Sequence, residues 1–598
     1  MGVENLITDH LDIWTAAIKT KSAAGRGSSK KLELVGIKKL RELILELAVR
    51  GKLVPQDPSD EPASALLKKI ETEKIKLVKE GKIKKQKPLP SITEEEKPFE
   101  LPEGWKWVRL QDICEYIQRG KGPKYSEFGI VKVISQKCVQ WNGFDLNAAR
   151  YVDDQSLTQY QDERFLKDND LLWNSTGTAG RINILRKDDS DKLVADSHVT
   201  VIRAILKNAG FISSYVSSSG IQKRIAPGVE NSLVSGTTNQ VELNTSVVIN
   251  LPVPIPPINE QHRIVAKVDE LMALCDQLEA QTEASIDAHK TLVEVLLATL
   301  TEAKDADELN DNWQTISQHF DVLITTQAAI SQLKQTILQL AVMGKLVKQD
   351  PNNEPASKLL ERIATEKQQL IKDGKIKKQK PLPPISDEDK PFELPVGWGW
   401  CRFYELFCNL KYGTSKKSEY KGTGTPILRI PNVVKGFIDS EDLKFTPLTA
   451  VEVNDLSLKK DDILIIRSNG STSIVGSSAV VDDAHVGFAY AGYLVRVRLP
   501  KNFNNSKFIH LVLKSVLIRS QIENPLRTTS GVKNINSTEI SRLILPIIPL
   551  EEQNRIVAKV DELMALCDSL KANLKDAQII QTQLTDAVVK NLKRDRFI

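Results

Sequence analysis

The chain has 598 residues, of which 41% are hydrophobic and 27% are charged, and its formal net charge is +5. This length suits about three or four domains, and the hydrophobic content excludes a wholly disordered chain. The mildly basic charge does not by itself indicate a nucleic-acid partner.

Cysteine usage and hydropathy limit the cellular setting. The six cysteines are scattered and form no C-x-x-C pair, which argues against a disulfide framework and against a zinc site. No apolar run approaches the ~18 residues of a membrane-spanning helix, and the N-terminal residues lack a signal-peptide pattern. We therefore expect a cytoplasmic protein with no membrane partner and no metal of its own.

Residues 1–100 are predicted to form a helical segment that ends in an extended strap. LVGIKKLRELILELAVRGKLV reads as a helix that stops near Gly51, and EPASALLKKIETEKIKLVKEG reads as a short amphipathic helix closed by Gly81. The decapeptide GKIKKQKPLP (residues 81–90, the first strap) follows this stop, and its prolines disfavour further helix. Its four lysines would face either DNA phosphates or an acidic surface of a partner, and the sequence does not decide between them.

Residues 101–258 and 394–550 are each predicted to form an α/β domain. Both inserts mix short β-type runs, such as LVADSHVTVIRAI and AYAGYLVRVRLP, with polar loops. The two inserts resemble one another only weakly, as in KYSEF and KKSEY.

Residues 259–393 and 551–598 are predicted to form long helices, and the former also carries a second strap. Apolar positions recur in alternating steps of four and three from Ile264 to Leu296 and again from Ile556 to Val588, which is the spacing of a coiled coil. Neither apolar stripe is wide enough to fill a globular core alone, so we expect the two long helices to pack on each other.

The segments outside the inserts are near-copies of each other. Residues 47–107 align without gaps on residues 340–400, with 43 of 61 positions identical, and the strap GKIKKQKPLP recurs at residues 374–383. RIVAKVDELMALCD occurs at residues 263–276 and again at residues 555–568. A simple duplication would leave the inserts as similar as these copies. The pattern instead predicts a pseudo-two-fold repeat that docks two copies of one partner and carries two different binding domains.

Polar loops of the two inserts supply candidate DNA contacts, because Arg, Lys, Asn, Gln, Ser and Thr can contact base edges and phosphates. The loops are QRGKGPKYSEF, WNSTGTAGR and SGTTNQ in the first insert, and KYGTSKKSEY, RSNGSTSIVG and RTTSGVKN in the second. The residues predicted to bind DNA are Arg119, Lys121, Lys124, Asn174, Thr176, Arg181, Thr238, Asn239, Gln240, Lys411, Thr414, Lys416, Lys417, Arg467, Asn469, Arg527, Thr529 and Lys533. For Arg467 and Arg527 the alternative is an ion pair with Asp461 or Asp462 inside the fold.

Catalytic signatures are missing from the sequence. It contains no phosphate-binding G-x-x-x-x-G-K-[ST] loop, no Rossmann G-x-G-x-x-G and no H-E-x-x-H. The histidines lie apart from any nucleophile signature, and the acidic pairs Asp461-Asp462 and Asp482-Asp483 read as solvated turns. We therefore expect a chain with no catalytic residue and no cofactor of its own.

The doubled motifs resemble the specificity subunits of Type I restriction–modification systems. The resemblance covers nearly the whole chain and rests on GKLVPQDPSDEPAS, FELPEGWKW and PIPPINEQHRIVAKVDELMALCD, each with its twin. It implies an α+β protein in which two α/β target recognition domains are joined by long antiparallel coiled-coil helices in a pseudo-two-fold repeat. Each domain would read one half of a bipartite, asymmetric double-stranded DNA site, and the helices would set the gap between the halves.

The same resemblance implies the partners and the chemistry of the complex. Two modification (methyltransferase) subunits would bring adenine methylation with S-adenosylmethionine. Two restriction (translocase and nuclease) subunits would bring ATP, Mg²⁺, translocation and cleavage. Two other interpretations remain open at this point: a scaffold that binds no DNA and docks two copies of a partner, and a self-contained enzyme with a divergent active site.

Overall fold

The computed structural model describes the chain except for residues 1–4, 22–30, 187–191, 206–208, 238–239, 305, 379, 421–423, 501–504, 524–526, 530–531 and 598. The chain divides into two compact units. The first comprises residues 1–285 together with 577–598, and the second comprises residues 286–576. Among the described helices, none is long and apolar enough to cross a membrane.

Helices and strands of the chain up to the first long helix are bounded as follows. The helices are α1 (Asn5–Thr8), α2 (Leu11–Ala16), α3 (Val35–Val49), α4 (Ala63–Lys79), α5 (Asp154–Leu157), α6 (Ala209–Ser217), α7 (Ser219–Gln222), α8 (Thr245–Asn250) and α9 (Ile258–Glu302). The strands are β1 (Ile18–Lys21), β2 (Lys31–Leu34), β3 (Lys106–Arg109), β4 (Cys114–Arg119), β5 (Tyr125–Ser126), β6 (Lys132–Ile134), β7 (Val139–Gln140), β8 (Gly143–Phe144), β9 (Arg150–Val152), β10 (Leu171–Asn174), β11 (Ile182–Ile184), β12 (Leu193–Ala195), β13 (Val199–Ala204), β14 (Ser235–Thr237), β15 (Gln240–Glu242) and β16 (Pro252–Ile255).

The remaining elements repeat much of this order. The helices are α10 (Ala306–Gln318), α11 (Phe320–Leu323), α12 (Gln327–Met343), α13 (Ala356–Lys372), α14 (Phe403–Leu406), α15 (Ile430–Val433), α16 (Ala450–Leu456), α17 (Ser506–Lys514), α18 (Val516–Glu523), α19 (Ser537–Arg542) and α20 (Leu550–Phe597). The strands are β17 (Gly399–Arg402), β18 (Asn409–Tyr412), β19 (Thr425–Leu428), β20 (Lys444–Thr446), β21 (Ile463–Ile466), β22 (Ser468–Asn469), β23 (Ser478–Val480), β24 (Ala489–Tyr490), β25 (Leu494–Arg498), β26 (Arg527–Thr529), β27 (Val532–Asn534) and β28 (Ile544–Ile547).

Each unit contains a four-stranded antiparallel sheet at the centre of its α/β domain. The strand order is β11-β10-β13-β4 in the first unit and β23-β21-β25-β18 in the second. The registers correspond, because Asn174 pairs with Val199 in the first sheet and Ile466 pairs with Leu494 in the second. The two inserts therefore share one topology although their sequences differ.

A second, mixed sheet accompanies each central sheet. In the first unit its order is β12-β6-β9-β5, and in the second its order is β20-β19-β24. A two-stranded pair, β3 with β16 or β17 with β28, leads into and out of each domain. This pairing explains why the copied GWKW and GWGW motifs stand at the start of each insert: their strands close the domain against the segment that precedes the long helix.

A buried aspartate–arginine pair supports the central sheet at the same place in both units. Arg203 donates from Nε and Nη2 to the two carboxylate oxygens of Asp170, both at 2.7 Å. Arg498 binds Asp462 in the same way, at 2.7 and 2.6 Å. Both aspartates are almost fully buried. The expectation that Asp462 lies in a solvated turn is therefore wrong, because this carboxylate has a bidentate partner inside the fold.

The long helices α9 and α20 are confirmed, and the first half of each buries predicted positions such as Ile264, Cys275 and Ile556, but in the second half the buried face differs from the predicted one. Leu292 is 50% exposed, whereas its neighbour Val293 is 1% exposed. In α20, Leu584 is 43% exposed and Thr585 is fully buried. The predicted heptad steps fail here because a straight α-helix has 3.6 residues per turn and drifts away from a strict seven-residue repeat. In a straight helix the same face recurs after 18 residues, which make five turns. Cys275 and Val293 are separated by 18 residues, and both are buried.

Helix α3 contacts two segments that are far apart in the sequence, both within the first unit. Arg41 binds Asp276 of α9 at 2.5 Å, and Lys39 binds Asp586 of α20 at 2.5 Å. The second unit repeats this arrangement around α12. There, Lys334 binds Asp568 at 2.5 Å, and Gln332 donates to Glu294 at 2.6 Å.

Each strap follows the end of a helix, and an arginine of its domain binds its last residue. The described strap residues lie outside any helix or strand, as the prolines predict. Arg109 Nε donates to the carbonyl oxygen of Pro90 at 3.2 Å, and Arg402 Nε donates to that of Pro383 at 2.8 Å. The strap is therefore tied to the first strand of its domain, β3 or β17, at the last residue of the decapeptide.

Candidate nucleic-acid interface

The three polar loops of the first insert meet at one edge of the central sheet. This edge, the first loop edge, is formed by residues 118–128, 173–181, 235–237 and 240–242. It lies where β4 and β10 end and β13 begins. Because neighbouring strands run antiparallel, these three chain positions fall on the same side of the sheet.

Contacts between the loops hold the first loop edge together. Arg119 Nη1 donates to Glu242 Oε1 at 2.7 Å, and its Nη2 reaches the carbonyl oxygen of Leu243 at 3.3 Å. Thr176 forms an isolated β-bridge with Glu242, and its Oγ1 lies 2.5 Å from His198 Nδ1. The backbone N–H of Lys121 donates to Ala195. All three loops thus touch one another or the turn that precedes β13.

The second unit has an equivalent second loop edge, formed by residues 411–420, 467–476, 527–529 and 532–534. The guanidinium of Arg467 lies 4.7 Å from the ring centroid of Tyr412, and its Nη1 donates to the carbonyl oxygen of Gly492 at 3.3 Å. Strand β22 pairs with β27, which places Asn469 opposite Lys533. Within the part of the chain that the structure describes, Arg467 has no carboxylate partner.

Two glycines permit the close approach of chain segments at these edges. A Cβ atom on Gly120 would lie 2.2 Å from the carbonyl oxygen of Ala195, and one on Gly413 would lie 2.3 Å from those of Tyr490 and Ala491. No side chain fits in that space. Gly120, which follows Arg119, and Gly413, which follows Tyr412, are therefore required by packing at the same point of both domains.

Buried tyrosines brace the first loop of each edge. Tyr160 Oη donates to the carbonyl oxygen of Lys121, and Tyr490 Oη donates to that of Lys411 at 3.2 Å. Burial raises the pKa of each tyrosine to about 12. Both hydroxyls therefore stay protonated and continue to donate at neutral pH.

Most of the lysines predicted to bind DNA are exposed, and in the second unit several have carboxylate neighbours. Lys121 and Lys124 are exposed in the first unit. Lys411 binds Asp455 at 2.7 Å, Lys416 binds Glu452 at 2.7 Å and Lys417 binds Glu419 at 3.1 Å. Hydrogen bonds from Lys416 and from Thr449 lower the pKa of Glu452 to about 2.

Other predicted residues take part in the fold itself. Asn174 is fully buried, and its Nδ2 donates to the carbonyl oxygen of Gln136 at 2.9 Å and to Thr178 Oγ1 at 2.8 Å. Arg181 Nη1 donates to Gln140 Oε1 at 2.6 Å, and Thr414 Oγ1 accepts from the backbone of Lys416 at 3.1 Å. Asn174 therefore supports its loop from within, and the DNA contacts of Arg181 and Thr414 stay predictions.

The remaining predicted residues lie in or beside the third loop of each edge. Thr238 and Asn239 lie outside the described residues. Gln240 lies in β15, and Arg527 and Thr529 lie in β26, where the backbone alone is described. Their roles stay predictions.

The alternative of an internal ion pair for Arg467 is not what the structure shows. Asp462 binds Arg498, and Asp461 Oδ1 accepts from Ser506 Oγ at 2.8 Å. Arg498, the partner of Asp462, is thus a residue that sequence reasoning missed. A repeated signal was present: LKDND precedes β10 and LKKDD precedes β21, and each ends in the buried aspartate.

Sequence reasoning also missed His198 and Tyr493, which lie at the turn before β13 and β25. They stand in the unlike stretches DSHV and AGYL, so only the shared strand register relates them. Among the described residues, no group of three or more His, Cys, Asp or Glu side chains could hold a metal ion.

Comparisons with known proteins agree with this duplicated arrangement. Residues 102–288 and 395–579 each match the family described as Type I restriction modification DNA specificity domain. The chain is 43% identical over 600 residues to the Type I restriction enzyme EcoAI specificity subunit of Escherichia coli, covering 98% of this chain and 99% of that protein. It is 40% identical over 607 residues to the EcoEI specificity subunit of the same species, covering 98% and 99%.

A crystal structure of the HsdS subunit from Thermoanaerobacter tengcongensis is similar at a TM-score of 0.38 and 18% identity, covering 83% of this chain and 98% of that one. The assignment rests on the family match and on the two relatives from Escherichia coli, which span nearly the full chain. The chain therefore belongs to the family of Type I restriction–modification DNA specificity subunits.

Proposed function

We propose that this chain selects the DNA sequence for a Type I restriction–modification complex. Each recognition domain, within residues 101–258 or 394–550, reads one half of a bipartite, asymmetric double-stranded site, and the long helices set the gap between the halves. One observation carries the proposal. In both domains three polar loops converge on the same edge of the same sheet, while their side chains differ.

The shared backbone and the unlike side chains support two binding events of one kind with two sequence preferences. Arg467 contributes a cation stacked on Tyr412 at the second edge, whereas at the first edge Arg119 is bound by Glu242. Arginine bound to guanine and polar side chains bound to adenine are the usual means of reading base edges. Different side chains on one framework would therefore read different bases.

In this proposal the chain contributes recognition and other subunits contribute catalysis. Two modification subunits dock on the duplicated helices and straps and methylate adenine with S-adenosylmethionine. Two restriction subunits add ATP- and Mg²⁺-dependent translocation and cleavage. The near-identity of residues 47–107 and 340–400 supports two equivalent docking surfaces, because a surface that binds the same partner twice keeps the same side chains.

A domain exchange tests the proposal. Residues 108–258 are replaced by the corresponding insert of a relative, and methylated adenines are mapped across host DNA in cells that carry the whole system. We expect one half of the recognised site to change and the other half and the gap to stay the same. A change in both halves, or in neither, would contradict modular recognition.

Duplex DNA binding separates this proposal from a scaffold that binds no DNA. With the modification subunits present, affinity for target DNA should fall steeply with salt, by about 10³- to 10⁵-fold between 50 and 200 mM for 6–10 phosphate contacts. Complexes that assemble fully but show no such binding would favour the scaffold.

A further inference from the structure

The turn that precedes β13 is the counterpart of the turn that precedes β25. In the first unit the backbone N–H of Val199 donates to the carbonyl oxygen of Asp196 at 3.2 Å, and in the second the N–H of Leu494 donates to that of Ala491 at 2.9 Å. Each hydrogen bond closes a four-residue turn. His198 and Tyr493 occupy the third position of their turns, so their backbones are equivalent.

A second hydrogen bond ties each turn to the loop that follows the neighbouring strand. Ser175 N–H donates to the carbonyl oxygen of His198 at 2.8 Å, and Arg467 N–H donates to that of Tyr493 at 2.9 Å. The residue itself is thus held by the central sheet on one side and by the second polar loop on the other. Such a support fixes the backbone position from which the side chain extends, so no backbone ordering is needed on binding, which lowers the entropy cost of a specific contact.

The flanking residues of each turn serve the fold, whereas the third position faces solvent. Val199 and Leu494 are fully buried, and Asp196 Oδ1 accepts from His198 N–H at 2.8 Å. His198 is exposed, and Tyr493 is 61% exposed. The fold therefore constrains the neighbours and leaves the chemistry of the third position open.

A cation accompanies each turn. In the first unit Lys121 is exposed, and its backbone N–H donates to Ala195, one residue before the turn. In the second unit the guanidinium of Arg467 donates to Gly492 within the turn. A nearby positive charge favours approach of a phosphate backbone, which brings base edges within reach of the turn.

We propose that His198 and Tyr493 are equivalent specificity-determining residues, each contacting a base edge in its own half of the DNA site. The proposal rests on the proposed function and adds a residue to it. The imidazole of His198, whose Nδ1 lies against Thr176 Oγ1, presents a ring nitrogen that can donate or accept. The phenol of Tyr493 presents a hydroxyl and an apolar ring, which suits a different base.

The experiment uses the complex of this chain with its modification subunits and a pool of duplex DNA randomised over both half-sites. His198→Ala should reduce affinity for the wild-type target by about 5- to 150-fold and relax the preference at one base position of one half-site. Tyr493→Ala should do the same in the other half-site only. His198→Gln, which keeps a polar group beside Thr176, should alter the same base position.

Matched controls are exposed residues of similar type outside the copied segments. His319→Ala, between α10 and α11, and Trp313→Ala in α10, where Trp313 is 44% exposed, should leave the selected sequence unchanged. Unchanged preference in both turn variants, or a loss that is equal for every DNA sequence, would overturn the inference. A wild-type complex that selects no sequence at all would instead overturn the proposed function.

Discussion

The structure removes the alternative partner of Arg467, while the DNA contact of this residue stays a prediction. Its guanidinium lies on the ring of Tyr412 at the second loop edge. Its alternative partner Asp462 is taken by Arg498. A guanidinium held by an aromatic ring and a backbone carbonyl keeps its net charge, so it can still pair with DNA.

Replacing this arginine should weaken DNA binding without unfolding the domain. For Arg467→Ala we expect a loss of about 1–3 kcal/mol in affinity for target DNA if the contact is to a base. The measurement is fluorescence anisotropy with the assembled complex. Lys460→Ala, just before the start of β21, which breaks a surface ion pair with Asp483, is the control, because it lies outside the loop edge and outside the copied segments. A loss of thermal stability with unchanged affinity would contradict this role for Arg467.

Glu96 binds Arg109, the arginine that also holds the last residue of the first strap. Its carboxylate accepts from Arg109 Nη1 at 2.6 Å and from Nη2 at 2.8 Å, and these hydrogen bonds are the main cause that lowers its pKa to about 2. The folded-state pKa lies below the unfolded value of about 4.3. The stabilisation is therefore fully present above the unfolded pKa and is lost as the pH falls through the folded pKa.

Hydrogen exchange of residues 90–97 should report this loss. After correction for intrinsic rates, we expect protection in the wild type to decrease as the pH falls from about 5 to about 2, since the carboxylate becomes protonated. Glu96→Gln should show weaker protection already at neutral pH and little further change. The neighbouring Glu95→Gln is the control. If Glu96→Gln matched the wild type at neutral pH, the Arg109 pair would not be what holds the strap.

At the scale of elements, the long helices show how far periodicity can be trusted. Their existence followed from an uninterrupted run of helix-forming residues, and the buried positions up to Cys275 followed from four-three spacing. Beyond that point polar residues such as Thr282 and Ser285 weaken the apolar signal. The true face then depends on the 3.6-residue turn of a straight helix, which a heptad assignment replaces with 3.5.

Two leucines of α9 test the corrected face. Leu297 is 3% exposed within the core of the second unit, and Leu292 is 50% exposed. We expect Leu297→Ala to cost about 2–5 kcal/mol of unfolding free energy, as buried leucines do, and Leu292→Ala to cost much less. Urea denaturation of the full chain measures both. Equal costs would favour the heptad assignment.

The α+β fold class, with two recognition domains, long helices and an internal repeat, was predictable from the sequence because the repeated motifs indicate it. The converging loops were predictable only in part. The amide of Asn174 in WNSTGT resembles a base-reading group, yet its buried Nδ2 donates to the carbonyl oxygen of Gln136 and to Thr178 Oγ1. His198 and Tyr493 share no sequence signal, because what they share is the strand register and a turn hydrogen bond. Equivalent backbone positions in two unlike sequences can be recognised only from the strand register of the folded sheet.

At the scale of the whole molecule, the two straps keep one sequence while the domains beside them diverge. In the first strap Lys84, Lys85 and Lys87 are exposed, and Lys82 binds Glu80 at 2.8 Å. Residues that read bases would have diverged with the loops. Identical straps therefore favour contact with the same partner twice, such as one modification subunit at each copy.

Charge reversal of a single strap tests this interpretation. When Lys84, Lys85 and Lys87 are all changed to Glu, we expect assembly to stop at one modification subunit, because like charges would repel an acidic partner face. Native mass spectrometry or light scattering gives the stoichiometry. The same reversal in the second strap, at Lys377, Lys378 and Lys380, is the matched variant. Normal assembly in both would contradict a docking role.

Because the first unit is built from two separate stretches of the chain, the structure also implies an order of folding during biosynthesis. The second unit is one continuous stretch, residues 286–576, so it can fold as soon as it leaves the ribosome. The first unit needs residues 577–598 as well, where Asp586 meets Lys39. At ~5–20 residues per second, the first unit waits roughly 15–60 s for its last helical segment. During that interval Lys39 lacks its carboxylate partner Asp586, which residues 577–598 then supply.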